Sequence, residues 1–196
     1  CDEIIAAFES AEGRAEHYAG SVSRGDGVVV DTEGKLTTEI DVSRSPSAVW
    51  QGVDLLLLQG VLRALADYSE LNPAVDAPQQ MRDEGFRLKR YLPSEPPEPP
   101  QHHAWHVDSG SSGTGCRAIA ALLYLNDVPS GGETVFMRPQ PVEVRPARGR
   151  LLLFPAGLGF VHAGAPPHSA AKYVASNFLS SCGEPPVEAA HFFPPL

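Results

Sequence analysis

Apolar residues follow two different periods along this chain, and the change comes near residue 86. Before it the spacing is helical. Ile4, Ile5, Phe8 and Ala15 form one stripe, with Asp2 and Glu3 in the first turn, where the helix dipole favours carboxylates. A second stripe runs through Trp50, Val53, Leu57, Val61, Leu65 and Tyr68. Ser45 suits its N-cap, Pro46 its first turn, and Asn72-Pro73 its end. Between the stripes, 20–34 is polar and broken by glycine, which predicts a loop with a short strand over 28–30. After residue 86 the pattern becomes short apolar runs between turns. These predict strands over 86–92, 117–125, 134–136, 150–154 and 172–179. The proline-rich PSEPPEPP at 93–100 is excluded from any central strand and reads as a surface loop or a lip beside a site.

Two helices followed by many short strands predict an α+β, mainly β fold, with N-terminal helices buttressing a jelly-roll sandwich or barrel. The 196 residues suit one domain. Within it, 1–84 would be helical support, 85–182 the β core and 183–196 a tail. Composition agrees: 19 prolines and 18 glycines favour turns, while 42% hydrophobic residues disfavour disorder. A formal net charge of −9 disfavours nucleic acid and anionic membrane as partners. No uninterrupted run of about 18 apolar residues occurs and no targeting segment opens the chain, so no membrane span is expected. Cys1, Cys116 and Cys182 form no CxxC pair. They read as three ordinary thiols in a reducing compartment, which favours a cytoplasmic location; a Cys1–Cys182 bridge stays open.

The candidate chemistry lies in the histidines. His106-Val107-Asp108 would bring an imidazole and a carboxylate to one point, since residues two apart on a strand face the same way. That is two thirds of a 2-His-1-carboxylate triad for non-haem Fe(II). His162 follows the strand LLLFP, and Lys172 opens the alternating strand KYVASNFL ten residues after it. A buried lysine there needs an anionic partner, which a dicarboxylate cosubstrate would supply. The remaining histidines, His17, His102, His103, His168 and His191, read as solvated or structural, and at most one of His102 and His103 can aim inward.

HxD, a later His, and a Lys ten residues on together resemble the prolyl 4-hydroxylase-like Fe(II)/2-oxoglutarate dioxygenases. FRLKRYLP, RAIAALLYLNDVPSGGETVF and GRLLLFPAGLGFVHAGAPPHSAAKYVASNFL are similar to that family's core strands. The resemblance implies a double-stranded β-helix, a distorted jelly roll. It implies Fe(II) on His106, Asp108 and His162, and 2-oxoglutarate with its far carboxylate on Lys172. It places Tyr91, Thr134 and Tyr124 around the cosubstrate and Arg117 at the substrate mouth. Three protein ligands leave three positions on an octahedral iron, two for the keto acid and one for O2. The implied reaction is hydroxylation of an unactivated C–H with release of succinate and CO2, supported by ascorbate, on a prolyl residue of a peptide or protein.

Two departures bear on the substrate. Tyr91 and His106 stand fifteen residues apart, farther than in the family, and His103 occupies the place of a second aromatic. Phe178 replaces a tryptophan of the last strand. His103 and Phe178 are therefore candidate substrate contacts. Other targets are a different residue or a small molecule, a non-catalytic module binding proline-rich chains, or the chain's own PSEPPEPP loop.

Overall fold

The computed structural model describes residues 1–24, 27–71, 81–93, 99, 101–110 and 114–181. The chain opens with α1 (Asp2–Glu9) and α2 (Ala11–Ala15), followed by β1 (Tyr18–Ala19), β2 (Val22–Arg24), β3 (Gly27–Val29) and β4 (Thr38–Asp41). The long helix α3 (Ala48–Leu71) comes next, then β5 (Arg82–Asp83), β6 (Arg87–Tyr91), β7 (His103–His106) and β8 (Arg117–Tyr124). The core closes with β9 (Thr134–Phe136), β10 (Val142–Val144), β11 (Leu151–Pro155), β12 (His162–Gly164) and β13 (Lys172–Ser180).

Two antiparallel sheets face each other. The larger runs β1-β4-β6-β13-β8-β11, with β5 on the far end of β13; the smaller runs β10-β9-β12-β7. This is the jelly-roll architecture the strand pattern predicts, with helices behind one sheet. Strand alternation divides the larger sheet into two functions. Its back, including Ile40, Leu88, Ala121, Ala175 and Leu179, packs on Ile4, Phe8, Trp50, Leu57, Val61 and Leu65 of the helices. Its front, including Tyr91, Tyr124 and Val174, turns toward the smaller sheet.

The N-terminal third differs in detail from its expected form. The first stripe is two helices, because Ser10 is extended and its hydroxyl accepts from the Gly13 amide, capping α2. Residues 20–34 contain the β2–β3 hairpin, and β4 inserts into the larger sheet beside β6. The Ile40 and Val42 alternation is too short to stand out in the sequence. A polar clip joins these parts. The Phe86 amide donates to Ser43 Oγ at 2.7 Å, and the Ser43 hydroxyl donates to the Asp54 carboxylate of α3. Gly85 serves this approach with φ of 90°, where a Cβ would lie 2.8 Å from the Ser43 Cβ.

One expectation gains a detail, and a second requires correction. Among the described residues α3 is long and apolar enough to cross a membrane, with mean hydropathy 1.2. Gly, Gln, Asp and Arg interrupt its apolar run without making it polar on average. One of its faces is core: Trp50, Asp54, Leu57, Val61 and Leu65 are buried. Cys116 is disulfide-bonded while Cys1 is a free thiol. This overturns the reading of three ordinary thiols and the Cys1–Cys182 bridge, because an odd count can hide one pair and one leftover. Cysteine usage therefore no longer favours a cytoplasmic location. Cys182, the helix stop at Asn72-Pro73, His191 and most of PSEPPEPP lie outside the described residues.

Candidate metal centre and cosubstrate pocket

His106 ends β7, Asp108 lies just beyond it, and His162 begins β12 directly opposite His106 in the antiparallel register. The convergence expected for HxD thus forms, although only the histidine belongs to the strand. Asp108 Oδ1 is 3.5 Å from His106 Nε2, and Asp108 Oδ2 is 3.5 Å from His162 Nε2. Donor atoms from all three lie within 4.8 Å of one another, and this is the metal-capable cluster among the described residues.

Backbone carbonyls orient both rings. His106 Nδ1 is 2.7 Å from the Ala104 carbonyl, and His162 Nδ1 is 3.0 Å from that of Phe160. A carbonyl only accepts, so each Nδ1 donates its proton there, which leaves Nε2, the atom that faces Asp108, as the ring's metal-binding nitrogen when the imidazole is neutral. Burial holds the His162 pKa below its ordinary value, aided by the neighbouring His106. Burial opposes ionisation of Asp108, yet the His106 hydrogen bond and the charges of His162, His106 and Lys89 lower its pKa overall. The triad thus offers two imidazole Nε2 atoms and one carboxylate, a set matched to a divalent metal.

A cavity of about 1030 Å³ opens above the triad. Lys172 and Tyr91 face each other across β13 and β6 and line it together. The Lys172 ammonium lies 5.1 Å from the Tyr91 ring centre and 5.5 Å from that of Tyr124. It makes no hydrogen bond or ion pair among the described residues, and burial lowers its pKa to about 8, with Glu133 acting weakly against this. An uncompensated buried ammonium is costly, so this pocket is built to receive an anion. Tyr124 donates its hydroxyl to Thr134 Oγ1 at 2.6 Å, and burial raises its pKa to about 12. The residues present therefore fit both a divalent metal and a dicarboxylate.

The other predicted positions also border this space. His103 stacks on His106 with ring centres 3.6 Å apart, while His102 turns away to the Glu33 carbonyl. Arg117 lies 3.8 Å above the Phe178 ring. Its guanidinium donates to Glu84 Oε2 at 2.8 and 2.6 Å and to the Asp108 carbonyl at 3.2 Å. Glu84 was missed because nothing in the sequence pairs it with an arginine 33 residues away. Lys35, Glu39 and Lys89 were missed for a similar reason: buried charges on β4, β6 and the segment before β4 look like ordinary polar positions.

Two antiparallel sheets, helices behind one of them and a His-Asp-His triad at the open end define a non-haem iron oxygenase. This chain matches, over residues 86–180, the profile of the 2OG-Fe(II) oxygenase superfamily. It is an oxidoreductase that uses Fe(II) and 2-oxoglutarate. Its fold is similar to that of a prolyl hydroxylase from Trichoplax adhaerens, solved with a hypoxia inducible factor peptide fragment. That likeness has TM-score 0.70 and 16% identity, covering 92% of this chain and 77% of the other. A Pseudomonas putida prolyl-4-hydroxylase gives TM-score 0.59 at 18% identity, covering 91% and 84%. The viral collagen prolyl hydroxylase of Paramecium Bursaria Chlorella virus-1, solved with 2OG, gives 0.55 at 18%, covering 78% and 82%. Comparison with curated protein sequences gives no match.

Proposed function

We propose that this oxygenase hydroxylates a prolyl residue of a peptide or protein, with His106, Asp108 and His162 holding the metal. Lys172 receives the far carboxylate of 2-oxoglutarate, Tyr91 and Thr134 line the same pocket, and Tyr124 backs it through its hydrogen bond to Thr134. The observation that carries the cosubstrate assignment is the buried, unpartnered Lys172 ammonium on the wall beside the triad. Bound Fe(II) and 2-oxoglutarate supply oxidative decarboxylation to succinate and CO2, with one oxygen atom of O2 passing to the substrate carbon. The chain's own residues do the positioning. Ala104 and Phe160 carbonyls fix the ring tautomers, so the Nε2 atoms face the metal position. Phe136 and Phe154 pack against the His162 ring, at 5.8 and 4.8 Å between centres, and keep water from that side. Glu84 holds Arg117 at the mouth, where a peptide would pass.

The prolyl assignment is supported by the kind of enzyme that shares this fold. The histidine at 103 and phenylalanine at 178 favour a second reading, in which the target is another residue or a small molecule. The decisive assay incubates a peptide panel with protein, Fe(II), ascorbate and 2-oxoglutarate, then measures peptide mass and succinate. Succinate with a one-oxygen gain on a prolyl peptide is the expected result, whereas succinate without peptide gain transfers the proposal to the second reading. No succinate from metal-loaded protein leaves a non-catalytic binding module.

A further inference from the structure

Lys89 lies on β6 two residues before Tyr91, on the same strand face and roughly 7 Å nearer the mouth. It is buried, with 9% exposure, and lines the cavity beside the triad. Among the described residues it makes no hydrogen bond or ion pair. Its neighbour across the β4–β6 pairing is Glu39, but that carboxylate is already engaged. Lys35 Nζ approaches Glu39 Oε1 at 2.5 Å, and Thr37 donates to the same oxygen at 2.8 Å. Asp108 faces the two histidines of the triad.

The charge count along this wall is unbalanced. Lys35 and Lys89 share one carboxylate, Glu39. One step outward, Arg87 and Arg44 share one carboxylate, Asp41, each at 3.6 Å. Arg117, by contrast, is matched by Glu84. A chain with net charge −9 thus keeps surplus cations on the wall leading to its metal centre. Burying a lysine without a partner is unfavourable, and a hydrophobic residue on this strand face would pack at less cost. Burial, then Lys35, pull the Lys89 pKa down to about 7, with Glu39 and Asp108 acting the other way. The surroundings therefore compensate its charge incompletely.

Resting on the oxygenase reading above, we propose that Lys89 is a specificity-determining residue that binds a carboxylate of the substrate, next to the carbon that is hydroxylated. Lys172, deeper on the neighbouring strand, keeps the cosubstrate's carboxylate, so the two anions occupy separate lysines. The substrate carboxylate comes either from an acidic side chain flanking the target residue or from a free chain end. Lys35 and Thr37 contact the Glu39 carboxylate directly, and Arg87 with Arg44 draws the anion inward from the mouth.

Two pairs of isosteric peptides test this and separate the sources: acetyl-Glu-Pro-amide against acetyl-Gln-Pro-amide, and acetyl-Ala-Pro acid against its amide. Hydroxylation by the Fe(II)- and 2-oxoglutarate-supplied enzyme gives kcat/KM ratios, and calorimetric titration under nitrogen gives affinity ratios. At least one acid should exceed its amide by about tenfold or more, as expected for a charge-assisted contact in a buried site. The responding pair identifies the source. In Lys89→Met the ratio should fall to near one, and in Lys89→Glu it should reverse. Circular dichroism and 2-oxoglutarate titration check that each variant is folded. Equal acid and amide values in the wild type, or an unchanged ratio in Lys89→Met, overturn the proposal. Carboxylate-selective binding without succinate would keep this subsite and overturn the oxygenase reading alone. Succinate without any selectivity does the reverse.

Discussion

His106, Asp108 and His162 each offer one ligand atom to the cluster. His106→Ala or Asp108→Ala should therefore lower Fe(II) occupancy and bring succinate formation below about one hundredth of wild type, consistent with loss of a catalytic metal. Metal content by elemental analysis and succinate release check this together. Lys172 makes a different prediction. Lys172→Ala should raise the KM for 2-oxoglutarate by at least about tenfold with metal content unchanged. The pH dependence follows from its lowered pKa. Anion binding needs the protonated amine, so apparent affinity for 2-oxoglutarate should hold below about pH 8 and weaken above it. The stability effect has the opposite sign. Between about 8 and 10.5 the native state binds fewer protons than the unfolded chain at this residue, so Lys172 adds stability as pH rises through that window. Titrations of 2-oxoglutarate at pH 7, 8 and 9 would expose the first effect.

The secondary-structure elements are joined by polar clasps as well as by the core. Glu9, at the end of α1, accepts from Arg90 of β6 at 2.7 Å and from the Tyr173 hydroxyl of β13 at 2.9 Å. These bonds tie the first helix to the back of the two strands whose front faces carry Tyr91, Lys89 and Lys172. Burial works against ionised Glu9, but its hydrogen bonds with Arg90 and Tyr173 prevail and lower its pKa. Glu9→Ala should cost roughly 1–3 kcal/mol of stability, as for a lost charged hydrogen-bond acceptor, read as a lower denaturant midpoint. Glu84 performs the equivalent task at the mouth, where it also accepts from Ser180 at 2.6 Å. In Glu84→Gln the Arg117 guanidinium loses its counter-charge, so substrate KM should change more than kcat. Kinetics on the productive peptide would show that split.

The helices and the catalytic sheet share a single buried layer, so stability and site geometry are linked across the molecule. Leu65 of α3 is 2% exposed within that layer. Leu65→Ala should cost about 2–5 kcal/mol, as for other buried leucine truncations. Its far-ultraviolet unfolding transition should coincide with loss of 2-oxoglutarate binding, because the sheet that bears Lys172 cannot persist without its back layer. Separate transitions would show that the helices are dispensable to the site. The distribution of charge has the same dependence on the whole fold. A net acidic chain presents a locally cationic wall only because the pairing of β4 with β6 brings Lys89 and Arg87 beside Lys35 and Arg44, which flank β4.

Alternation and turn residues made the five strands 86–92, 117–125, 134–136, 150–154 and 172–179 legible, since a two-residue period is local and survives without knowledge of partners. The convergence of His106, Asp108 and His162 and the burial of Lys172 were legible for a related reason: their order and spacing reflect short strand geometry. The short strands β1, β4 and β12 were not, because two to four residues carry too little periodicity and are held by pairing. The disulfide at Cys116 escaped because bridge formation depends on distance in space. Tertiary structure alone decided which polar residues became buried charges. Lys89, Glu39 and Glu84 look like solvated positions along the chain, and their environment is set by strands and loops far away in sequence. Burial is a property of what lies opposite, and long-range pairing supplies it.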